Sequence, residues 1–101
     1  MAKTSKASEA VKTIKIARDL RIAAAAGAFA ALRSAAEGAE RRIALDARQV
    51  DKVDAAGLQA LLAGYRALGS AGKGVSWVGC SAQLKAAAGL LGLAESLELP
   101  Q

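Results

Sequence analysis

Apolar and polar residues alternate near the start of the chain, and this pattern predicts a β-strand with one solvent-facing side. Residues 11–16 (VKTIKI) carry Ile14 and Ile16, with Lys12, on one side and Val11, Thr13 and Lys15 on the other. Because exposed lysines discourage pairing with another chain, we expect this strand to lie at a sheet edge. A turn at Arg18-Asp19 and a second short strand at residues 20–22 are predicted to follow.

Two longer segments place apolar residues at helical spacing. The first is the Ala-rich segment 23–37, which brings Phe29 and Leu32 to one face and is followed by Gly38 as a C-terminal stop. The second follows Asp54, an N-cap residue, and should run through position 68. Its apolar stripe predicts a buried helix face and consists of Leu58, Leu61, Leu62, Tyr65 and Leu68.

Short apolar runs separate these helices and predict further strands. Residues 43–46 (IALD) and 75–78 (VSWV) fit buried strands, while residues 47–54 form a connector. A last helix is expected after Ser81, and a terminal segment with inward-facing leucines follows it. Strands that alternate with helices favour an α/β architecture with a largely parallel sheet.

Composition limits the function classes. The chain of 101 residues suits one domain, which we place at residues 11–99 after a flexible tail of residues 1–10. The absence of histidine removes the commonest general base and metal ligand, and one cysteine allows no intrachain disulfide or zinc cluster. We therefore predict no enzyme activity, no metal and no cofactor. The single cysteine and the lack of a spanning or secretory segment indicate a cytoplasmic protein.

The net charge of +5 raises the alternatives of nucleic-acid or anionic-membrane binding. The basic residues are dispersed among acids, and three aromatic residues make a poor stacking surface for bases. We therefore predict no nucleic-acid partner and no direct membrane insertion.

The segment from residue 45 to residue 62 holds the candidate chemistry. It consists of a strand, a loop and a helix start whose unpaired amides suit an anion or phosphoryl group. The small residues Ala55, Ala56 and Gly57 allow a ligand or another backbone to approach closely. A metal or acid–base pair at Asp46 and Asp51 is disfavoured, because no histidine or third ligand accompanies them.

This segment resembles the STAS domain, which is shared by anti-sigma-factor antagonists and the cytoplasmic tails of sulfate transporters. The strongest match is the strand ending in Asp46 followed by VDAAGL at residues 53–58. The stretches GKGVSWVG at residues 72–79 and LLGL at residues 90–93 extend the resemblance over residues 11–99. It implies a small mixed, mostly parallel sheet of four to five strands packed with three to four helices, and no active site.

In the switch members of the family, a partner kinase that is also an anti-sigma factor phosphorylates a serine just after the motif's aspartate. The matching residue here is Ala55, and Ala56 follows, so neither position offers a hydroxyl. The resemblance therefore implies a non-phosphorylatable binding module, similar to anti-sigma-factor antagonists in signal transduction and regulation of transcription. The alternative is the small cytoplasmic STAS subunit of a phospholipid-trafficking ABC transporter.

The predicted partner is another protein: an anti-sigma or switch kinase, a chemotaxis protein or an ABC ATPase. The context of Gln59 and Trp77 is similar to STAS proteins of chemotaxis clusters. A homodimer stays open as an alternative. The residues predicted to contact the partner lie at the helix start and adjacent turns, and they are Asp51, Asp54, Ala55, Ala56, Gly57, Leu58, Gln59, Asp19 and Ser81.

Overall fold

A computed structural model describes residues 10–100 of the chain. Its central sheet has three strands in the order β1-β3-β5, and both pairings are parallel. A second, two-stranded parallel sheet pairs β2 with β4. The strands are β1 (Val11–Lys15), β2 (Asp19–Leu20), β3 (Arg42–Ala47), β4 (Lys52–Val53) and β5 (Gly74–Cys80).

Four helices are described; the first three each follow a strand, and the fourth follows the third helix. They are α1 (Ile22–Glu37), α2 (Ala55–Ser70), α3 (Ala82–Leu90) and α4 (Ala94–Leu97). The predicted α/β fold with four to five strands and three to four helices is therefore confirmed. The lysine-flanked strand β1 lies at an edge of the sheet, as its sequence predicts.

The hydrophobic core lies between the sheet and the helix pair α1–α2. The central strand β3 is buried from Ile43 through Ala47, as expected for a parallel strand between two neighbours. The predicted stripe of α2 is confirmed, since Leu58, Leu61 and Leu68 are fully buried. Helix α2 approaches α1 closely at Gly64, where a Cβ atom would lie 2.5 Å from Cδ1 of Leu32.

The C-terminal segment is fixed against β5 and α2. The indole nitrogen Nε1 of Trp77 donates a hydrogen bond of 2.9 Å to the carbonyl oxygen of Leu97, whose side chain is fully buried. The Tyr65 ring stacks on Trp77 with centroids 6.0 Å apart, and its hydroxyl donates to the carboxylate of Glu98. The expected inward packing of the terminal leucines is thus confirmed for Leu97.

Several element boundaries differ from the predicted ones. Helix α1 begins at Ile22, which the pattern assigns to a strand, and Asp19 belongs to β2 instead of a turn. The connector of residues 47–54 contains the short strand β4. The predicted tail lies outside the described residues except for the exposed Ala10.

Candidate protein-binding surface

The loops that follow β1, β3 and β5 meet at one end of the molecule, because parallel strands end at the same edge of a sheet. We call this end the carboxyl edge and define it by the last strand residues Lys15, Ala47 and Cys80. Backbone hydrogen bonds join the loops there, from Ile16 N to Asp46 O at 2.8 Å and from Ser81 N to Ala47 O at 3.0 Å. Helix α2 also begins at this end, so the predicted partner-binding residues lie close to several loops.

The carboxylate of Asp54 caps two helices at once. Its Oδ1 accepts a hydrogen bond of 2.8 Å from the backbone N–H of Gly57, in the first turn of α2. Its Oδ2 accepts a hydrogen bond of 2.9 Å from the backbone N–H of Ile22, the first residue of α1. These backbone donors hold the pKa of Asp54 below its usual value. The predicted N-cap is therefore confirmed, and the same side chain also joins the starts of both helices.

Replacing Asp54 with Ser is expected to separate these two roles. A serine hydroxyl still caps α2 but is too short to reach Ile22, whereas Asp54→Ala loses both hydrogen bonds. We expect Asp54→Ser to lower the thermal midpoint and Asp54→Ala to lower it roughly twice as far. Amide exchange of Ile22 should accelerate in both variants and that of Gly57 in Asp54→Ala alone. Unchanged exchange at Ile22 in both variants would contradict the double cap.

The structure separates the predicted contact residues of α2 into exposed and buried ones. Ala55 and Gln59 are exposed and Ala56 is half-buried, so these three form the accessible face of the helix start. Gly57 is buried against β2, where an added Cβ atom would lie 1.8 Å from the carbonyl oxygen of Leu20. Leu58 is fully buried in the core. Gly57 and Leu58 therefore act through packing beneath the surface.

Ion pairs surround this face. Nη2 of Arg18 lies 3.0 Å from Oδ2 of Asp51, and the Arg21 guanidinium donates two hydrogen bonds of 2.7 Å to the carboxylate of Asp19. The Arg21 hydrogen bonds also lower the pKa of Asp19. All four side chains are at least two-fifths exposed, so these pairs add little to stability and are available to a partner.

Ile22 is a surface residue that the sequence pattern did not identify. Its side chain is 73% exposed although it starts α1 next to Asp54. A single exposed aliphatic residue is common on protein surfaces, but Ile22 places apolar area directly beside the capped helix starts. The pattern assigns Ile22 to a strand, because the cap that starts α1 comes from a residue 32 positions away.

Ser81 occupies a different position from the other predicted contacts. Its hydroxyl accepts a hydrogen bond of 3.1 Å from the backbone N–H of Leu84 and thereby caps α3. The neighbouring thiol of Cys80 is partly buried, which raises its pKa and makes it a poor nucleophile at neutral pH. Ser81 therefore acts as a helix cap, and the Cys80 thiol is not activated as a nucleophile.

The acids Asp46 and Asp51 do not converge on one site. Asp46 is 7% exposed and binds the Arg48 guanidinium through both of its oxygens, each at 3.0 Å. Asp51 pairs with Arg18 instead. Within residues 10–100, no group of three or more His, Cys, Asp or Glu side chains is placed to hold a metal ion.

Asp46 is expected to make stability depend on pH in acid. The hydrogen bonds from Arg48 lower its pKa from 3.8 to about 2, so the folded state holds this proton less tightly than the unfolded state. The contribution is therefore complete above about pH 5 and is lost as the pH falls towards 2. Asp46→Asn should flatten this part of the curve of thermal midpoint against pH, measured by circular dichroism. If the thermal midpoint of Asp46→Asn fell with pH as steeply as that of the unchanged chain, Asp46 would not be the source of this dependence.

Comparison with known proteins identifies similar sequences and folds. The profile of a family described as "Mlab, STAS domain" matches residues 4–100. The crystal structure of a sulfate transporter family protein from Wolinella succinogenes is similar in fold, with a TM-score of 0.71 and 24% sequence identity. That alignment covers 86% of this chain and 70% of the other. No curated protein matches significantly in sequence.

Among the helices described, none is long and apolar enough to cross a membrane.

Proposed function

Because the chain belongs to the STAS family, whose profile spans residues 4–100, we propose that it is a non-enzymatic protein-binding module. The proposed contact surface, here called the docking surface, lies at the start of α2 and consists of Asp19, Ile22, Asp51, Ala55 and Gln59. One observation supports this proposal most: Ala55 is exposed at a helix start that Asp54 fixes to the start of α1. A rigid, accessible surface loses little conformational entropy on binding.

The shape and chemistry of the docking surface indicate how a partner would bind. The small side chain of Ala55 lets a partner backbone approach the helix start closely. Ile22 supplies apolar area that becomes buried in the complex. The ion pairs Arg18–Asp51 and Arg21–Asp19 surround this area and set the orientation of the partner through complementary charges.

Phosphorylation cannot change the charge of the docking surface at the positions where switch members of the family are phosphorylated. Ala55 and Ala56 have no hydroxyl to receive a phosphoryl group. We therefore propose a regulator similar to anti-sigma-factor antagonists whose binding is controlled by the state of the partner or by expression. Its partner would be a histidine-kinase-like ATPase or a chemotaxis protein. The cytoplasmic location remains a prediction from the sequence.

A second candidate is the small cytoplasmic STAS subunit of a phospholipid-trafficking ABC transporter. This role is compatible with the same observation, because it needs a binding surface and no phosphoacceptor. The two candidates differ in the partner that occupies the docking surface.

Site-specific crosslinking in the source cell tests the proposal and separates the two candidates. A photoreactive benzoylphenylalanine is introduced at Ala55 and, as a control, at the exposed Ala63 of the same helix. A histidine-kinase-like ATPase or a chemotaxis protein crosslinked from position 55 supports the signalling role, and an ABC ATPase supports the transporter role. A second copy of the chain at position 55 would indicate a homodimer in place of either role. The same products from both positions would contradict the docking surface.

A further inference from the structure

A cleft opens at the carboxyl edge beside the ends of β1 and β3. Its volume is about 350 Å³, and it is lined by Lys15, Asp46, Arg48 and Gln49. The cleft is shallow and open to solvent, so it would hold a charged group at the surface and not enclose a whole molecule. Ligands of open α/β sheets bind outside the carboxyl ends of the strands, which is where this cleft lies.

Arg48 is held in a fixed orientation in this cleft. Its Nε and Nη2 atoms each donate a hydrogen bond of 3.0 Å to the carboxylate of Asp46, whose side chain is almost fully buried. The backbone N–H of Arg48 donates to the same carboxylate at 3.2 Å. The low pKa of Asp46 keeps this carboxylate ionised at neutral pH.

The neighbouring strand provides space for the arginine side chain. A bulge in β5 between its pairings with Leu45 and Asp46 places Gly79 opposite Asp46. A Cβ atom at Gly79 would lie 2.7 Å from Cγ of Arg48, so only glycine lets the arginine stem lie across this strand. Asp46 in β3 and Gly79 in β5 therefore together fix the orientation of Arg48.

One edge of the Arg48 guanidinium has no hydrogen-bond partner among residues 10–100. A guanidinium has five N–H donors, and two of them bind Asp46. The remaining N–H donors on Nη1 and Nη2 form a second pair of parallel donors, here called the free fork. The Arg48 side chain is 65% exposed, so a ligand can reach this pair. Such a planar fork matches the two oxygens of a carboxylate.

The charge of the cleft suits a ligand with one negative charge. Lys15 lies opposite Asp46 in the strand register, and its charge acts on that carboxylate. Lys15 and Arg48 contribute two positive charges and Asp46 one negative charge, so the net charge is +1. The side-chain amide of Gln49 donates to the carbonyl oxygen of Ile16 at 3.0 Å and fixes the remaining wall.

We propose that this cleft binds a carboxylate group through the free fork of Arg48 and the ammonium group of Lys15. The carboxylate comes from a small organic acid or from an acidic side chain of a partner protein, and both present the same two oxygens. The residues that line this cleft are different from those of the docking surface at the start of α2, so the two sites can be tested independently.

Nuclear magnetic resonance of the full chain tests the site, with sodium acetate, N-acetylglutamate amide and inorganic phosphate as probes at constant ionic strength. We expect saturable shifts of the Arg48 side chain and of the Gln49 and Gly79 amides, with millimolar dissociation constants for both carboxylates. Comparable affinities of both carboxylates indicate a small acid, and a clear preference for the glutamate probe indicates a partner side chain. Tighter binding of phosphate, or no saturable shift with either carboxylate, would overturn the proposal.

Two variants distinguish carboxylate binding by the free fork of Arg48 from attraction by positive charge alone. Arg48→Lys keeps the charge and loses the fork, and it should weaken carboxylate binding about tenfold. Lys15→Gln changes an exposed residue, leaves the fold intact and should weaken binding about threefold. The control Arg66→Lys changes an exposed arginine of α2 outside the cleft and should leave binding unchanged. Equal losses in Arg48→Lys and Arg66→Lys would also overturn the proposal.

Discussion

Gly57→Ala is expected to destabilise the protein by about 3 kcal/mol, because the first turn of α2 has no space for a methyl group. The added Cβ atom would lie 1.8 Å from the carbonyl oxygen of Leu20 and 2.7 Å from its carbonyl carbon. Both atoms belong to the backbone of β2, so no side-chain rotation relieves the overlap. Either α2 or β2 must move, and the hydrogen bonds of Asp54 to both helix starts are disturbed with them.

Gly69→Ala is the matched control for this experiment. Gly69 lies in the last turn of α2, and a Cβ atom there meets nothing within 4 Å. Because alanine favours helix more than glycine, this variant should be more stable by about 0.5–1 kcal/mol. Urea unfolding of both variants measures the two effects. A loss below about 1 kcal/mol for Gly57→Ala would contradict the described contact between α2 and β2.

Ala55→Glu is expected to weaken binding of the partner about 100-fold, because it adds an unpaired charge to a closely packed contact. The fold should be unaffected, since a carboxylate in the first turn of a helix interacts favourably with the helix dipole. Ala55 is exposed, so the new side chain meets no internal contact. Isothermal titration with the partner crosslinked from position 55 measures the change.

Ala63→Glu makes the same chemical change on the same helix at a site away from the docking surface. Ala63 is exposed and lies about 12 Å further along the axis of α2. The affinity of the Ala63→Glu variant for the partner should equal that of the unchanged chain. If Ala55→Glu and Ala63→Glu lost the same amount of affinity, the effect would come from net charge and not from the docking surface.

Much of the fold could be predicted from the sequence, because its main elements follow local patterns. The leucine stripe of α2 and its cap at Asp54 both rest on neighbouring residues. The strand β4 could not be predicted, since two residues pair with β2 only after the chain has folded. The start of α1 at Ile22 depends on Asp54, which is distant in sequence, and so no local signal marks it.

The candidate site shows the same division. The exposed alanine at the helix start and the capping acid could be identified from the VDAAGL motif and helix-capping rules. The burial of Gly57 depends on how closely Leu20 approaches, which the sequence does not specify. Likewise, the arginine fork at Arg48 depends on a bulge in a strand about 30 residues later in the chain.

Hydrogen–deuterium exchange of the chain with and without its partner tests most directly whether the docking surface binds. The account predicts slower exchange in the complex at residues 18–22 and 51–59, around the starts of α1 and α2. The opposite end of the molecule, at residues 37–42 and 69–74, should exchange at the same rate in both states. Protection confined to that opposite end, with unchanged amides at residues 51–59, would contradict the account.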